Sequence, residues 1–167
     1  VVNGFDPDEA RFIDLFARYS EAAAAAGIRV ALEFLPYSGV RDLAAARRVV
    51  EQADLEAAGL LLDVLHLVRS GGAIADIAAL PPDRIVFAQV CDARSIAGPR
   101  PSDEALLHEA RHARLAPGRG DLPVFEFLDA LPEGLEIEYE VARQDLADAS
   151  SFAKGQAAAT DATAFLA

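Results

Sequence analysis

Short apolar runs alternate along this chain with longer stretches of helical periodicity, and this alternation limits the fold more than any other feature. Strands are predicted at residues 28–35, 60–65, 84–90 and 135–141. Helices are predicted at residues 6–27, 40–58, 73–80, 124–131 and 146–167. Strands separated by helices indicate parallel βαβ units, and runs such as 60–62 are apolar on both faces, as buried parallel strands are. Val1 and Val2 are predicted to end one further strand.

Length determines how much of a barrel these units can form. An eight-stranded (β/α)8 TIM barrel takes about 250 residues, whereas this chain has 167. We therefore predict one α/β domain, residues 1–167, that forms the C-terminal four to five βα units of a barrel and lacks its N-terminal strands. The chain opens on Val1 and contains no methionine, so we expect its record to be cut or incomplete.

Composition excludes several classes of partner. The chain has 27 acidic and 15 basic residues, a net charge of −12 and no basic run, so it would repel a nucleic-acid backbone. No stretch reaches the roughly 20 apolar residues that cross a bilayer. The single cysteine, Cys91, cannot form an internal disulfide, and we interpret it as a small buried hydrophobe. We expect a soluble cytoplasmic protein.

Four oxygen-donor side chains stand at or near the ends of predicted strands: Glu33, Asp63, Gln89 and Glu140. The carboxyl ends of parallel strands meet at one rim of a barrel, and three carboxylates gathered there without a cation would repel one another. The arrangement therefore favours a divalent ion, and all-oxygen ligation suits Mg²⁺ or Mn²⁺ better than zinc or cobalt. Any one of these residues alone is equally explained as an acid that caps the next helix or faces solvent.

Histidines near the strand ends are candidates for proton transfer. His66 follows Asp63 by three residues, so we expect it to act on a bound substrate as an acid or base, or to hydrogen-bond its hydroxyls. A polar loop histidine is the alternative. His108 and His112 are four residues apart but have no third ligand nearby, and we do not predict a second metal site there.

Arginines in the loops after the strands are candidates for holding an anionic or polyhydroxyl substrate. Arg94, five residues after Gln89, and Arg69 are the predicted substrate-binding arginines, and Arg111 and Arg114 are further candidates. Solvated surface arginines are the alternative interpretation for all of them.

Side-chain alternation assigns faces to the strand residues. Ile85, Phe87 and Gln89 are predicted to share one face. The same alternation places Glu138 on the inward face and deeper in the barrel than the donor that ends its strand. A buried acid there needs a partner, and Arg29 is a candidate.

Five segments carry a family resemblance, and they occur in the order in which the family has them. They are Leu32-Glu-Phe-Leu-Pro36, Asp63-Val-Leu-His66, Gln89-Val-Cys-Asp92, Arg114-Leu-Ala-Pro-Gly-Arg-Gly120 and Glu138-Tyr-Glu-Val141. With them the chain resembles the sugar phosphate isomerase/epimerase family, the xylose isomerase-like TIM barrels. The resemblance implies a divalent metal held by Glu33, Asp63, Gln89 and Glu140, with His66 contacting the substrate.

The resemblance also implies an activity. The leading hypothesis is a metal-dependent isomerase or epimerase of a small sugar, sugar phosphate, keto-acid or cyclitol. It would act through an enediolate, with Glu140 as base and Glu33 and His66 as the other catalytic residues. Many members have histidine where this chain has Gln89, and the amide resembles the dehydroshikimate dehydratase branch. A dehydratase of 3-dehydroshikimate or an inosose is therefore the alternative.

A third hypothesis is a truncated barrel without catalytic activity. Four or five βα units leave sheet edges unpaired, and unpaired edges favour homo-oligomers.

Overall fold

Five parallel strands form one sheet, in the order β1-β2-β3-β4-β5, in a computed structural model that describes residues 1–167. The strands are β1 Val2–Asn3, β2 Val30–Glu33, β3 Ala58–Asp63, β4 Ile85–Val90 and β5 Ile137–Tyr139. The helices are α1 Glu9–Ala25, α2 Leu43–Ala53, α3 Val64–Arg69, α4 Asp103–His112, α5 Val124–Ala130 and α6 Ser151–Leu166. The predicted α/β alternation is confirmed, including the strand at the N-terminus.

Two helices were not predicted. The expected strand 60–65 ends at Asp63, and α3 begins at once because Oδ1 of Asp63 accepts the backbone N–H groups of Leu65 (2.7 Å) and His66 (3.4 Å). The polar segment after β4, for which no helix was predicted, contains α4, whose N-cap Ser102 accepts from the N–H of Ala105. The predicted helix 73–80 is a 3-10 helix, Ile74–Ala79.

The hydrophobic core lies between one face of the sheet and the helices. It is built from alternate strand positions and from the inward stripes of the helices, for which Leu32, Leu62, Phe16, Val49 and Phe127 are representative, all at most 2% exposed. The other positions of the same strands point to the opposite face. That face carries the polar strand-end side chains.

Strand register aligns those polar side chains. Asp63 of β3 is level with Gln89 of β4, but the register shifts between Leu60 and Leu61. Because of this shift, Ile85 pairs with Leu60 and joins the core. The prediction that Ile85 shares a face with Gln89 is therefore wrong.

The sheet is open, with β1 and β5 as its two edges. A shallow apolar hollow beside β1 is lined by Val1, Val2, Leu15 and Tyr19 among others, and three of these four are exposed. None of the helices combines the length and apolar character needed to cross a membrane.

Candidate active site

Neighbouring strands bring the site together at their carboxyl ends. Asn3 pairs with Glu33, and Asp63 pairs with Gln89, each on the face opposite the core. Glu140 follows β5 directly, and its backbone N–H donates to the carbonyl of Val90 at 3.1 Å. Residues far apart in sequence thus meet at one rim of the sheet.

The tightest group is Glu33, Asp63 and His66, whose ligand atoms all lie within 4.8 Å of one another. His66 Nε2 is 3.7 Å from Glu33 Oε1 and 3.8 Å from Asp63 Oδ2. Asn3 Nδ2 donates to Glu33 Oε2 at 2.8 Å, which orients that carboxylate. Two carboxylates and an imidazole at this spacing could hold a divalent ion.

Arg114 is the cation of the site, and its side chain is 3% exposed. Its Nη1 donates to Asp63 Oδ2 at 2.6 Å and to Cys91 Sγ at 3.2 Å. Its Nη2 is 2.8 Å from Glu140 Oε2, and its Nε donates to the carbonyl of Ala110 at 2.9 Å. All of these contacts are within the protein, so the guanidinium is not free to bind an anionic substrate. The sequence had suggested that role for Arg114.

The carboxyl groups respond differently to this environment. Burial raises the pKa of Asp63, but Arg114 and His66 outweigh that effect and hold the pKa below its ordinary value. Burial raises the pKa of Glu33, and it raises the pKa of Glu140 to about 7. One arginine beside three carboxylates leaves two negative charges uncompensated when all three are ionised, which is the charge that a divalent cation neutralises.

His66 is held neutral, because burial lowers the pKa of its imidazole. Arg114 Nη2 lies 3.4 Å from His66 Nε2, and since a guanidinium can only donate, the contact requires the proton on Nδ1. Nε2 of His66 therefore presents a lone pair toward the carboxylates.

Two buried oxygen atoms at the rim have no hydrogen-bond donor: Gln89 Oε1 and Glu140 Oε2. The latter is close to Arg114, but without hydrogen-bond geometry. Buried polar atoms are normally paired, so free lone pairs on an amide and a carboxylate fit an oxygen-ligated metal. The four-donor metal site remains a prediction, since the group whose ligand atoms lie within 4.8 Å of one another is Glu33, Asp63 and His66, without Glu140.

Glu138 is not the buried acid that strand alternation suggested. It is exposed on the edge strand and accepts a hydrogen bond from Gln89 Nε2 at 3.0 Å. Arg29 lies elsewhere and donates to the carbonyl of Asp83. The candidate partner Arg29 therefore does not pair with Glu138, and the amide of Gln89 takes that place.

The two arginines predicted to bind substrate are not gathered at the carboxylates. Arg69 makes two hydrogen bonds of 2.7 Å to the carboxylate of Glu109 and one of 2.8 Å to the carbonyl of Arg94. The side chain of Arg94 is exposed and makes no hydrogen bond within the chain. Arg69 is thus a structural contact between α3 and α4.

Tyr37 is a site residue that sequence analysis missed. Its ring meets the His66 ring edge-on at a centroid distance of 5.9 Å. Burial, together with the charge of Glu33, raises the pKa of its phenol to about 12. The available signal was its position, since Tyr37 lies in the loop that directly follows β2 and Glu33.

Cys91 contacts the site through its sulfur, which accepts from Arg114. Burial raises the pKa of its thiol to about 12, so the group stays neutral and unreactive.

Residues 2–164 match the family model described as a xylose isomerase-like TIM barrel. The chain belongs to this family. The predicted family and fold class are therefore confirmed, and the five-stranded sheet is part of such a barrel.

Among similar proteins of the xylose isomerase-like family is a 3-dehydroshikimate dehydratase from Pseudomonas putida, 31% identical over 122 residues, which are 72% of this chain and 18% of that protein. The chain thus spans less than a fifth of this curated relative. A solved structure of a xylose isomerase-like TIM barrel/4-hydroxyphenylpyruvate dioxygenase fusion protein is 28% identical, with a TM-score of 0.71 over 81% of this chain and 22% of that one. The IOLI protein, solved with a bound zinc atom, has the same fold, with a TM-score of 0.77, 20% identity and coverage of 92% of this chain and 54% of that one.

Proposed function

We propose that this protein is a metal-dependent lyase that dehydrates a cyclic hydroxy-keto acid of the 3-dehydroshikimate type. The observation that carries the proposal is the rim itself, where Arg114 contacts Asp63 and Glu140, Glu33 lies beside Asp63 and His66, and Gln89 offers an unpaired oxygen. The likeness to the Pseudomonas dehydratase over 72% of the chain supports the choice of reaction. An amide at position 89 instead of histidine supports it too.

We infer that Glu33, Asp63, Gln89 and Glu140 would hold the metal, with Mg²⁺ or Mn²⁺ preferred by oxygen donors and Zn²⁺ or Co²⁺ as alternatives. When bound, such an ion would act as a Lewis acid that polarises the substrate carbonyl. Arg114 keeps Asp63 and Glu140 in place through contacts of 2.6 and 2.8 Å. Such supporting contacts orient ligands before the metal arrives.

Glu140 is the proposed general base. In the metal-free protein burial raises the pKa of its carboxyl to about 7, and its ionised form would accept the proton from the carbon beside the carbonyl. His66, neutral and 3% exposed, would orient the substrate's hydroxyl groups. The β-hydroxyl would then leave as water with the proton that Glu140 accepted, which restores the carboxylate and completes a dehydration.

Isomerisation or epimerisation of a small sugar, sugar phosphate or cyclitol is the second candidate. It uses the same removal of a carbon-bound proton but returns the proton instead of expelling a hydroxyl. The xylose isomerase-like family description supports it.

The test incubates the protein and Mn²⁺ with 3-dehydroshikimate and follows protocatechuate by its absorbance. We expect protocatechuate to form only when the metal is present. If none forms with any divalent metal, 3-dehydroshikimate is not the substrate.

Calorimetric Mn²⁺ titration of Asp63→Asn and Asp92→Asn then tests the ligands. Asp92 is a matched control, because it is equally buried at 1% exposure but accepts only backbone N–H groups.

Weak uptake by Asp63→Asn and native uptake by Asp92→Asn are expected. Equal uptake by Asp63→Asn and the native protein would eliminate the proposed ligand set. Absence of both metal uptake and turnover would favour the truncated, non-catalytic barrel.

A further inference from the structure

Helix α4 carries two exposed histidines that lie outside the candidate active site. His108 and His112 are four residues apart in this helix, so their side chains lie on one side of it. Neither side chain makes a hydrogen bond or an ion pair within the chain. The third histidine of the protein, His66, is buried at the rim. The histidine pair of α4 is therefore accessible to a ligand from solvent.

The two imidazole rings of the pair are placed as two ligands of one metal ion are. Their centroids are 5.2 Å apart, and their planes are tilted by 50°. A zinc ion lies about 2.1 Å from a ligating imidazole nitrogen, so two rings bound at a tetrahedral angle have centroids about 5 Å apart. Both ring planes must also contain the ion, which is possible for tilted rings and impossible for parallel stacked rings. The ring positions thus satisfy the spacing that chelation requires.

The glutamate that follows the first histidine indicates what kind of metal site this can be. Two histidines at this spacing, with a glutamate after the first, bind zinc in metalloproteases, where the glutamate is the general base. Here Glu109 accepts two hydrogen bonds of 2.7 Å from Arg69. A carboxylate engaged in this way is not available as a base. A metal on the histidine pair would therefore be bound without hydrolytic chemistry.

Only two protein ligands are available at this position. The sequence did not predict a metal site here because a third ligand is missing, and no carboxylate forms a group of three with these histidines in the structure. Imidazole nevertheless suits zinc, copper and nickel, and water can fill the remaining positions. The exposed neighbours Glu104 and Arg111 carry opposite charges, while the net charge of −12 attracts cations to the protein as a whole.

We propose that His108 and His112 form a second metal site, a surface chelate for a divalent ion that prefers imidazole, such as Zn²⁺ or Cu²⁺. The ion would join two successive turns of α4 just before the chain reaches Arg114. Since only two residues of α4 are buried, this link would stabilise a helix that has little apolar contact. The site would bind its ion whatever reaction the rim performs.

The test measures retention of the untagged protein on immobilised Cu²⁺–iminodiacetate at pH 8. An ion fixed to a resin cannot reach His66, which is 3% exposed, so among the histidines the resin reports only the pair of α4. The variants are His108→Gln and His112→Gln. The matched control combines His112→Gln with Glu21→His, which moves the histidine to an exposed position of α1 and keeps the number of histidines at three.

The native protein is expected to be retained. The imidazole concentration that elutes it should fall by about tenfold or more in each single variant, because chelation makes the second contact intramolecular. The matched control should elute with His112→Gln. Zn²⁺ added to the native protein should shift the imidazole ¹⁵N resonances of His108 and His112 together and slow amide exchange in residues 103–112.

Two results would overturn the proposal on the resin. One is elution of the native protein together with the single variants, and the other is elution of the matched control together with the native protein, which would mean that the histidines bind independently. In the Zn²⁺ titration, a shift confined to His66 would overturn it as well. That titration needs no variant, so the proposal stays open to refutation even if a glutamine perturbs α4.

Discussion

Arg114 determines the charge balance of the candidate site. It joins the loop after α4 to Asp63, 51 residues earlier, through a contact between two side chains that are 3% and 0% exposed. Burial alone would lower the pKa of the guanidinium, but Asp63 and Glu140 raise it, so Arg114 stays charged. A charge pair this deeply buried is costly to break because the remaining partner cannot reach water.

Removing Arg114 should therefore destabilise the fold. We expect Arg114→Met to reduce the free energy of unfolding by about 3–5 kcal/mol in urea denaturation. The control is Arg41→Met, whose pair with Asp103 is nearly half exposed on both sides and should cost about 0–1 kcal/mol. Equal losses in the two variants would mean that Arg114 and Asp63 are solvated in the native protein.

Glu140 should make metal-free stability depend on pH. Its folded pKa, about 7, lies above the ordinary 4.5. The folded state thus holds its proton more tightly, and this contribution to stability is complete below pH 4.5 and lost as the pH rises through 7. Glu140→Gln cannot ionise. In EDTA, the melting temperature of Glu140→Gln should exceed that of the native protein at pH 8. At pH 5 the two melting temperatures should be similar.

Added Mn²⁺ should raise the melting temperature of the native protein above that of Glu140→Gln at pH 8, because only the native carboxylate can bind the ion. Parallel melting curves at all pH values, measured by differential scanning fluorimetry, would contradict the assigned environment of Glu140.

Charged contacts attach helix α4 to three other segments of the chain, a loop, a helix and a strand end. Asp103 at its start binds Arg41 after β2, Glu109 in its middle binds Arg69 of α3, and Arg114 just beyond it binds Asp63. Only Leu106 and Ala110 of the helix itself are buried. With so little apolar contact, α4 depends on these ion pairs for its position.

Breaking the middle contact should loosen α4 alone. We expect Glu109→Gln to speed amide hydrogen exchange in residues 103–112 by about tenfold, because Arg69 loses a charge-assisted pair, while β2, β3 and β4 exchange as before. Asp103→Asn breaks a more exposed pair and should speed exchange less. In the native protein, 0.5 M salt should reproduce this smaller effect of Asp103→Asn. Uniform acceleration throughout the chain would indicate global destabilisation instead.

The sequence predicted most of these elements because their signals are local. The donors Glu33, Asp63 and Gln89 were identified because each lies at or next to the end of an apolar strand. The helix α4 was not predicted because its pattern is mostly polar and only Leu106 and Ala110 of it are buried. Contacts such as Arg114 with Asp63 join residues 51 positions apart, and no periodicity within one element reports them.

The molecule as a whole is an open parallel sheet. Its edge strands β1 and β5 each have one unpaired side, and β1 lies beside the exposed apolar side chains of Val1, Leu15 and Tyr19. Unpaired edges and apolar patches of this kind favour association.

We therefore expect the chain to self-associate in a concentration-dependent way. Sedimentation velocity should show a rising mean mass, and Leu15→Glu should reduce it by placing a charge in the hollow beside β1. Ile96→Glu, at an exposed apolar residue of the β4–α4 loop, is the control and should leave the mass as it is. A native protein that stays monomeric at high concentration would contradict this prediction.

The register shift between Leu60 and Leu61 has a consequence for how such a site can change. If the present residues of β3 and β4 paired without this shift, Asp63 would be level with Ala88, and Gln89 would turn toward the helices. Gly59 makes room beside the shift, since a Cβ there would lie 2.5 Å from the carbonyl of Arg84 and 2.7 Å from Val86. A one-codon deletion at Val86 would thus make β4 regular and still leave the amide of Gln89 level with Asp63 at the rim.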